Sequence, residues 1–282
     1  MTIKIITDST SDLPKEIAQK YDIDILPLHI ILNEDSFDDG ININTDKLFK
    51  WSDENNTTPK TAAISLLEAS DAFKKYLNEY DYLLCFTISS PLSSTYNNLR
   101  VAAKEISEER IYVVDTKSLC AAMGLLIIKA AKMIEEGKDI KEIFEELNIL
   151  KEKLNTSFVV DSLDYLHRGG RCSDAALLLG NALKVHPMIV VKDGKLEADK
   201  KYRGNMKHVI HSYINDLKES LNNADKELLA IAYSGDRPNN LDEIKEELKK
   251  EYGFNDILEA KAGCVISSHC GPNTFAIFFI EN

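Results

Sequence analysis

The chain has 282 residues, 44% hydrophobic and 28% charged, with 12 glycines and 7 prolines, enough to build a substantial core without long disordered tracts. Its formal net charge of −12 argues against nucleic acid or an anionic membrane as a bulk partner, since both repel such a surface at long range. The longest apolar run, at 123–128, is far short of the roughly 18 residues of a membrane span, so an integral membrane segment is not expected.

The chain opens on a strand-like run at 3–7 with no apolar leader stretch, which points to the cytoplasm. Further strands are expected at 25–32, 83–88 and 111–115, where short runs rich in Ile, Val, Leu and aromatics end in polar residues. Pro27 inside the second run places that strand at an edge or makes it irregular. Helical spacing falls between them at 13–20, 66–80 and 95–106, then at 121–136 and 140–154, the last with Asp139 as its cap. Strands alternating with helices imply a parallel sheet covered on both faces.

The pattern changes after Asn155. A strand is expected at 158–160, an apolar helix at 174–183, and a hairpin whose arms at 188–191 and 196–201 flank Asp193-Gly194. A helix at 207–221, strands at 228–233, 256–260 and 274–280, and a helix at 241–252 complete the chain. The reading is an α/β protein of two domains: residues 1–156 with the parallel sheet, and residues 157–282 with a mixed sheet.

Chemistry collects where strands end. Thr7-Asp8-Ser9-Thr10-Ser11-Asp12, Ser89-Ser90-Pro91-Leu92-Ser93-Ser94-Thr95-Tyr96 and Asp115-Thr116-Lys117-Ser118 each lead from a strand towards a helix. In an open parallel sheet, ligands bind outside the carboxyl ends of the strands. Hydroxyls there cap helices, and free N–H groups of a first turn attract anions. Together with Pro59-Lys60-Thr61-Ala62-Ala63-Ile64-Ser65, these loops make a shared anion site a stronger reading than separate caps. Asp8, Asp12 and Asp115 are expected to brace loops. No phosphate loop, dinucleotide fingerprint, nucleophile elbow or metal helix occurs. The five cysteines form no C-x-x-C pair and are expected to be reduced core thiols. His208 and His211 suit a solvated helix face better than a metal.

Ile6-Thr7-Asp8-Ser9-Thr10-Ser11-Asp12-Leu13, Pro59-Lys60-Thr61-Ala62 and the Ser89–Tyr96 loop resemble the DegV family of bacterial fatty-acid-binding proteins. So do Leu163-Asp164-Tyr165-Leu166-His167-Arg168-Gly169-Gly170-Arg171 and His269-Cys270-Gly271-Pro272. The motifs recur in family order over nearly the whole chain. The resemblance implies two α/β domains with a long-chain fatty acid between them and no other cofactor. It implies that Thr61, Ser93 and His269 hold the carboxylate, with Ser9, Ser94 and Thr95 in supporting loops. It further implies a non-catalytic carrier that presents its ligand to a separate ATP-dependent kinase subunit, the acyl phosphate feeding phospholipid synthesis. Arg171 and Arg203 match basic positions of the family and are candidates for kinase docking, with buried loop bracing an equal alternative for Arg171.

Some positions depart from the family pattern. Ser94 stands for a glycine, His186 for a lysine, Asn273 and Ala276 for glycines, and Cys120 and Ala122 for a serine and a glycine. Ala122 and Ala276 narrow or reshape the expected apolar channel, whose wall is assigned to the helices at 121–128 and 175–183 and the strand at 275–279. Two rivals remain. One is the substrate-binding part of a dihydroxyacetone-kinase-like enzyme, which holds a small ketone on a histidine. The other is a hydrolase with Ser93 as nucleophile and His269 as base.

Overall fold

The computed structural model describes residues 1–172 and 185–282. Its first strand, β1 (Ile3–Asp8), is buried along nearly its whole length, as a central strand of a covered parallel sheet must be. After α1 (Lys15–Lys20) the apolar run expected as one strand is two, β2 (Ile23–Leu26) and β3 (His29–Leu32), in different sheets. Pro27 is the reason: it offers no N–H to a ladder, so pairing stops there and the chain changes sheet.

Next come β4 (Asp35–Asp38), α2 (Thr45–Asn55), β5 (Lys60–Ala62) and α3 (Leu66–Tyr76). Then follow β6 (Tyr82–Thr87), α4 (Thr95–Ile106) and β7 (Ile111–Asp115). The main sheet runs β2-β1-β6-β7, all parallel. β4, β3 and β5 form a small antiparallel sheet beside it. The elements from β4 to β5 leave no periodic signal in the sequence, for a physical reason. β4 is an acidic, half-exposed Asp-Ser-Phe-Asp, β5 has three residues, and α2 buries only Thr45, Leu48 and Ser52.

Two helices, α5 (Ala121–Glu135) and α6 (Ile140–Leu150), lead into β8 (Leu154–Val159). Asp139 caps α6 as expected, accepting from the Lys141 N–H at 2.9 Å. That helix ends four residues earlier than its spacing predicted, because Leu154 already belongs to β8. After α7 (Asp164–Gly169) come β9 (Val185–Lys192) and β10 (Lys195–Arg203). The helix expected at 174–183 lies outside the described residues.

The remaining elements are α8 (Met206–Asp216), α9 (Lys218–Asn222), β11 (Leu228–Ser234), α10 (Leu241–Tyr252), β12 (Asp256–Lys261), α11 (Cys264–Cys270) and β13 (Thr274–Ile280). Their sheet runs β10-β9-β8-β13-β11-β12, parallel only between β11 and β12. The architecture is thus the expected parallel sheet followed by a mixed one. Asp193 and Gly194 both take positive φ, 48° and 77°, as the expected two-residue hairpin turn requires.

α5 joins the halves. Eleven of its residues are buried, so it is apolar nearly all round, the mark of a helix inside a protein. A Cβ on Gly124 would stand 3.1 Å from Leu13 of the first half and 3.4 Å from Leu258 of the second. One continuous core accordingly unites Ile5, Leu84 and Phe86 with Ala230, Ala276 and Phe278. A second joint is the hairpin tip. Ser89 donates to the Gly194 carbonyl at 2.6 Å, and any side chain at Gly194 would collide with that hydroxyl.

Candidate functional site

Where the halves meet, a cavity of about 340 Å³ opens. Its polar lining is Thr61, Ser93, Ser94, Arg171 and His269, and leucines, isoleucines, Phe158 and Cys270 supply most of the rest. That volume falls within the range of small-molecule sites, roughly 300–1,000 Å³. All three residues assigned to one carboxylate by the resemblance therefore face one space, although they lie far apart in the chain.

Each arrives by a different route. Thr61 is the middle residue of β5, paired with Ile30 of β3. Ser93 lies just before α4; its Oγ accepts the Thr95 N–H at 3.2 Å and sits 2.9 Å from the Thr95 hydroxyl. Ser94, the N-cap residue of α4, makes no side-chain capping bond and lines the cavity, which puts the start of this twelve-residue helix at the cavity wall. His269 is on α11, a helix where the sequence pattern suggests only a turn. Seven residues between Gly263 and Gly271 are too few for a periodic signal.

The imidazole is tightly set. Its Nε2 lies 3.0 Å from Thr61 Oγ1, and its ring rests on the backbone of Gly169, where a Cβ would stand 2.4 Å from Nδ1. Nδ1 is buried without a hydrogen-bond partner. Buried N–H groups without acceptors are rarer than acceptors without donors, so the hydrogen balance assigns the proton to Nε2. Nε2–H then donates to Thr61 Oγ1, and the threonine O–H is left free to donate into the cavity. Burial, followed by the nearby Arg171 guanidinium, pushes His269 down to about 4, so the ring is neutral at pH 7.

Arg171 remains a candidate for one of the two roles expected of it, docking. It is exposed, which removes buried loop bracing, and it lines the cavity beside His269, held by a 2.6 Å bond from Nη1 to the Gly169 carbonyl. Arg203, at the end of β10, is also exposed and lies outside the cavity lining. Ser9 and Thr95 are supports. Ser9 Oγ donates to Asp39 at 2.9 Å and accepts the Leu28 N–H at 3.1 Å, and buried Thr95 holds Ser93. Ser93 and His269 share no hydrogen bond among the described residues, which deprives the hydrolase reading of its nucleophile–base contact.

The aspartates brace loops as expected. Asp8 accepts N–H groups from Thr10 at 2.9 Å and Ile88 at 2.8 Å, and also bonds the Thr10 hydroxyl. Burial raises Asp8 to about 6 despite these bonds. Asp115 accepts from Ser90 and Lys117, both at 3.1 Å. Asn273 takes the left-handed φ of 56° that its glycine-like position demands, and Cys120 has a φ of 54°. All five cysteines are buried, and the described residues contain no group of side chains suited to a metal.

Behind the main cavity lies a small apolar extension of about 30 Å³. The two share Leu119, Phe158, Ile266 and Cys270, and the extension runs on to Ala232, Ala276 and Phe278. Its wall includes Cys120 at the head of α5, with Ala276 and Phe278 from β13. Leu196, just after the hairpin turn, lines the main cavity; a hairpin is legible in the sequence, but its reach across to the other half is not.

The fold and the site define a class: α/β proteins with a parallel sheet, a mixed sheet and, where the two halves meet, a cavity lined by a few polar side chains and an otherwise mostly apolar wall. The family model of the DegV proteins, described as uncharacterised, matches residues 2–282, so this chain belongs to the DegV family. A DegV domain-containing protein of Clostridium acetobutylicum is 35% identical over 281 residues, spanning 99% of this chain and 98% of the relative. A protein of Thermotoga maritima named as a fatty acid-binding protein is 33% identical over 289 residues, spanning 100% and 99%. Among solved structures, a fatty-acid-binding DegV family protein from Thermus thermophilus superposes with a TM-score of 0.92 at 28% identity, covering 100% of both chains. A stearic-acid-binding protein from Eubacterium ventriosum gives 0.84 at 28% identity, covering 99% and 98%.

Proposed function

We propose that this chain is a carrier of a long-chain fatty acid. The carboxylate meets Thr61, Ser93 and the His269 pair, and the tail runs through the apolar end towards Ala276. The observation that supports the reading is that these three side chains line one cavity whose remaining wall is mostly apolar and which adjoins a small apolar extension. Relatives described as fatty-acid-binding support it. The tail dominates affinity: at roughly 0.8 kcal/mol per methylene, about a dozen methylenes contribute on the order of 10 kcal/mol before association costs. The head group must offset desolvation of a charge, which hydroxyl donors, the α4 N-terminus and the Arg171 charge do together.

Hydroxyls, one of them oriented by a neutral imidazole, hold an anion without a bidentate clamp, leaving a carboxyl oxygen available to react. In this reading a separate ATP-dependent kinase subunit phosphorylates it, the acyl phosphate enters phospholipid synthesis, and the carrier itself performs no chemistry. Exposed Arg203 is the docking candidate, and Arg171 serves the head group first. The chain works in the cytoplasm as two units, 1–156 and 157–282, meeting at β8.

Mass spectrometry of an organic extract from the purified, denatured protein tests the reading. A long-chain fatty acid near one equivalent is expected. An extract still empty after incubation with mixed fatty acids would sink it, and a small adduct on a histidine peptide would favour the ketone-binding alternative.

A further inference from the structure

α11 carries His269 but is held at its opposite end by the other half of the molecule. Its opening N–H groups do not meet a capping side chain of their own segment. Instead Gly263 N–H donates to Asp12 Oδ1 at 2.8 Å and Cys264 N–H donates to Asp39 Oδ1 at 2.7 Å. Asp39, buried after β4, is fixed in turn by the Ser9 hydroxyl at 2.9 Å and by its own N–H to the Leu28 carbonyl at 2.9 Å. The fit is close: a Cβ on Gly263 would stand 3.0 Å from Asp12 Oδ1 and 3.2 Å from Asp39 Oδ1.

From this geometry we infer that Asp39, seconded by Asp12, is a positioning residue for the ligand carboxylate: it sets α11 so that His269 meets Thr61. The inference rests on the reading of Thr61 and His269 as the head-group site. Three contacts clamp a seven-residue helix to the first half, two at its start and the Thr61–His269 bond at its end. At about 1.5 Å per residue, helix C-terminal contacts lie within about 8 Å of the clamp, too short a span to absorb a shift of the N-terminus by bending. A carboxyl group also suits the start of a helix, where its oxygens accept from N–H groups that have no partner within the helix. Burial outweighs the hydrogen bonds for both acids: it raises Asp39 against its bonds to Cys264 and Ser9, and it raises Asp12 well above the ordinary carboxylate range.

The test is the NMR titration of the His269 ring in the full-length protein, read beside stearate affinity. The parent ring is expected to titrate near 4, facing Arg171 and largely out of water. In Asp39→Ala the helix loosens, water reaches the ring, and the midpoint rises towards the ordinary histidine value of about 6.5. The direction is diagnostic, because loss of a nearby negative charge alone would lower a histidine, not raise it. Asp39→Asn keeps the Oδ1 acceptor and is expected to restore most of the parent titration. Ser9→Ala, a milder change that removes one restraint on Asp39, should move the midpoint the same way by a smaller step. An unchanged or lowered midpoint in Asp39→Ala, or in Ser9→Ala where Asp39→Ala does not fold, overturns the inference. Stearate affinity separates the two layers. A raised midpoint with affinity down about tenfold supports both, and a raised midpoint with parent affinity keeps the clamp but removes the head-group reading.

Discussion

The two ends of the cavity are built on different principles. At the polar end, each side chain is delivered by a short segment and fixed by a directed bond or a close contact: Thr61 and His269 by each other, Ser93 by Thr95, and the His269 ring by packing on the backbone of Gly169. At the apolar end, position comes from sheet and helix interiors, and no directed bond chooses which methylene lies where. Directed bonds give orientation, whereas apolar burial gives affinity that scales with area. The polar end should therefore fail sharply on loss of single atoms, and the apolar end should change gradually with volume.

The largest expected effect is at the polar end. Thr61→Ala with Ser93→Ala removes two donors to a charge, each contributing about 1.5–3 kcal/mol, so stearate affinity should fall on the order of 100-fold or more. Isothermal titration on a variant of unchanged circular dichroism measures it, and parent-like affinity would refute the head-group assignment.

The next concerns pH. Burial pushes His269 down to about 4 in the folded chain, below the ordinary value of about 6.5 that it regains on unfolding, so the unfolded state binds the extra proton between those values. Stability from this group is complete above about 6.5 and is lost as pH falls towards 4, by at most roughly 3 kcal/mol. Asp8, raised to about 6, acts in the opposite sense below that value, so only the difference between the parent and His269→Gln isolates the histidine. From about pH 7.5 to 4 the urea midpoint of the parent should fall relative to that of His269→Gln. Parallel curves would show that the ring is not buried neutral.

Gly169→Ala sharpens the comparison without touching a donor. A Cβ 2.4 Å from Nδ1 must push the imidazole off Thr61, while alanine itself is well suited to a helix. Stearate affinity should fall by about 2 kcal/mol, the loss expected for one hydrogen bond to a charge. The smallest effect is expected at the apolar end. Ala276→Leu fills space used by about two methylenes, lowering affinity for the longest chains roughly tenfold while shorter acids bind as before. A uniform loss over all chain lengths would place the tail elsewhere.

Much of this protein was determined locally. Periodicity marked β7, α4, α10 and β13 at their observed bounds, Asp193-Gly194 the hairpin, and Pro27 the irregular strand, because each depends on neighbours within one or two turns of chain. The candidate head-group residues were legible only as motifs whose order resembled a family. What their side chains meet was not, since Thr61 and His269 stand 208 residues apart and Asp12 and Gly263 stand 251 apart. Nothing in a local pattern encodes such pairs. Nor could spacing show that Arg171 turns into the cavity, that Gly169 serves as a floor for a histidine, or that seven residues around Cys264 become a helix. Those outcomes follow from docking two halves around α5, where desolvation and close contact decide which polar groups find partners across the joint.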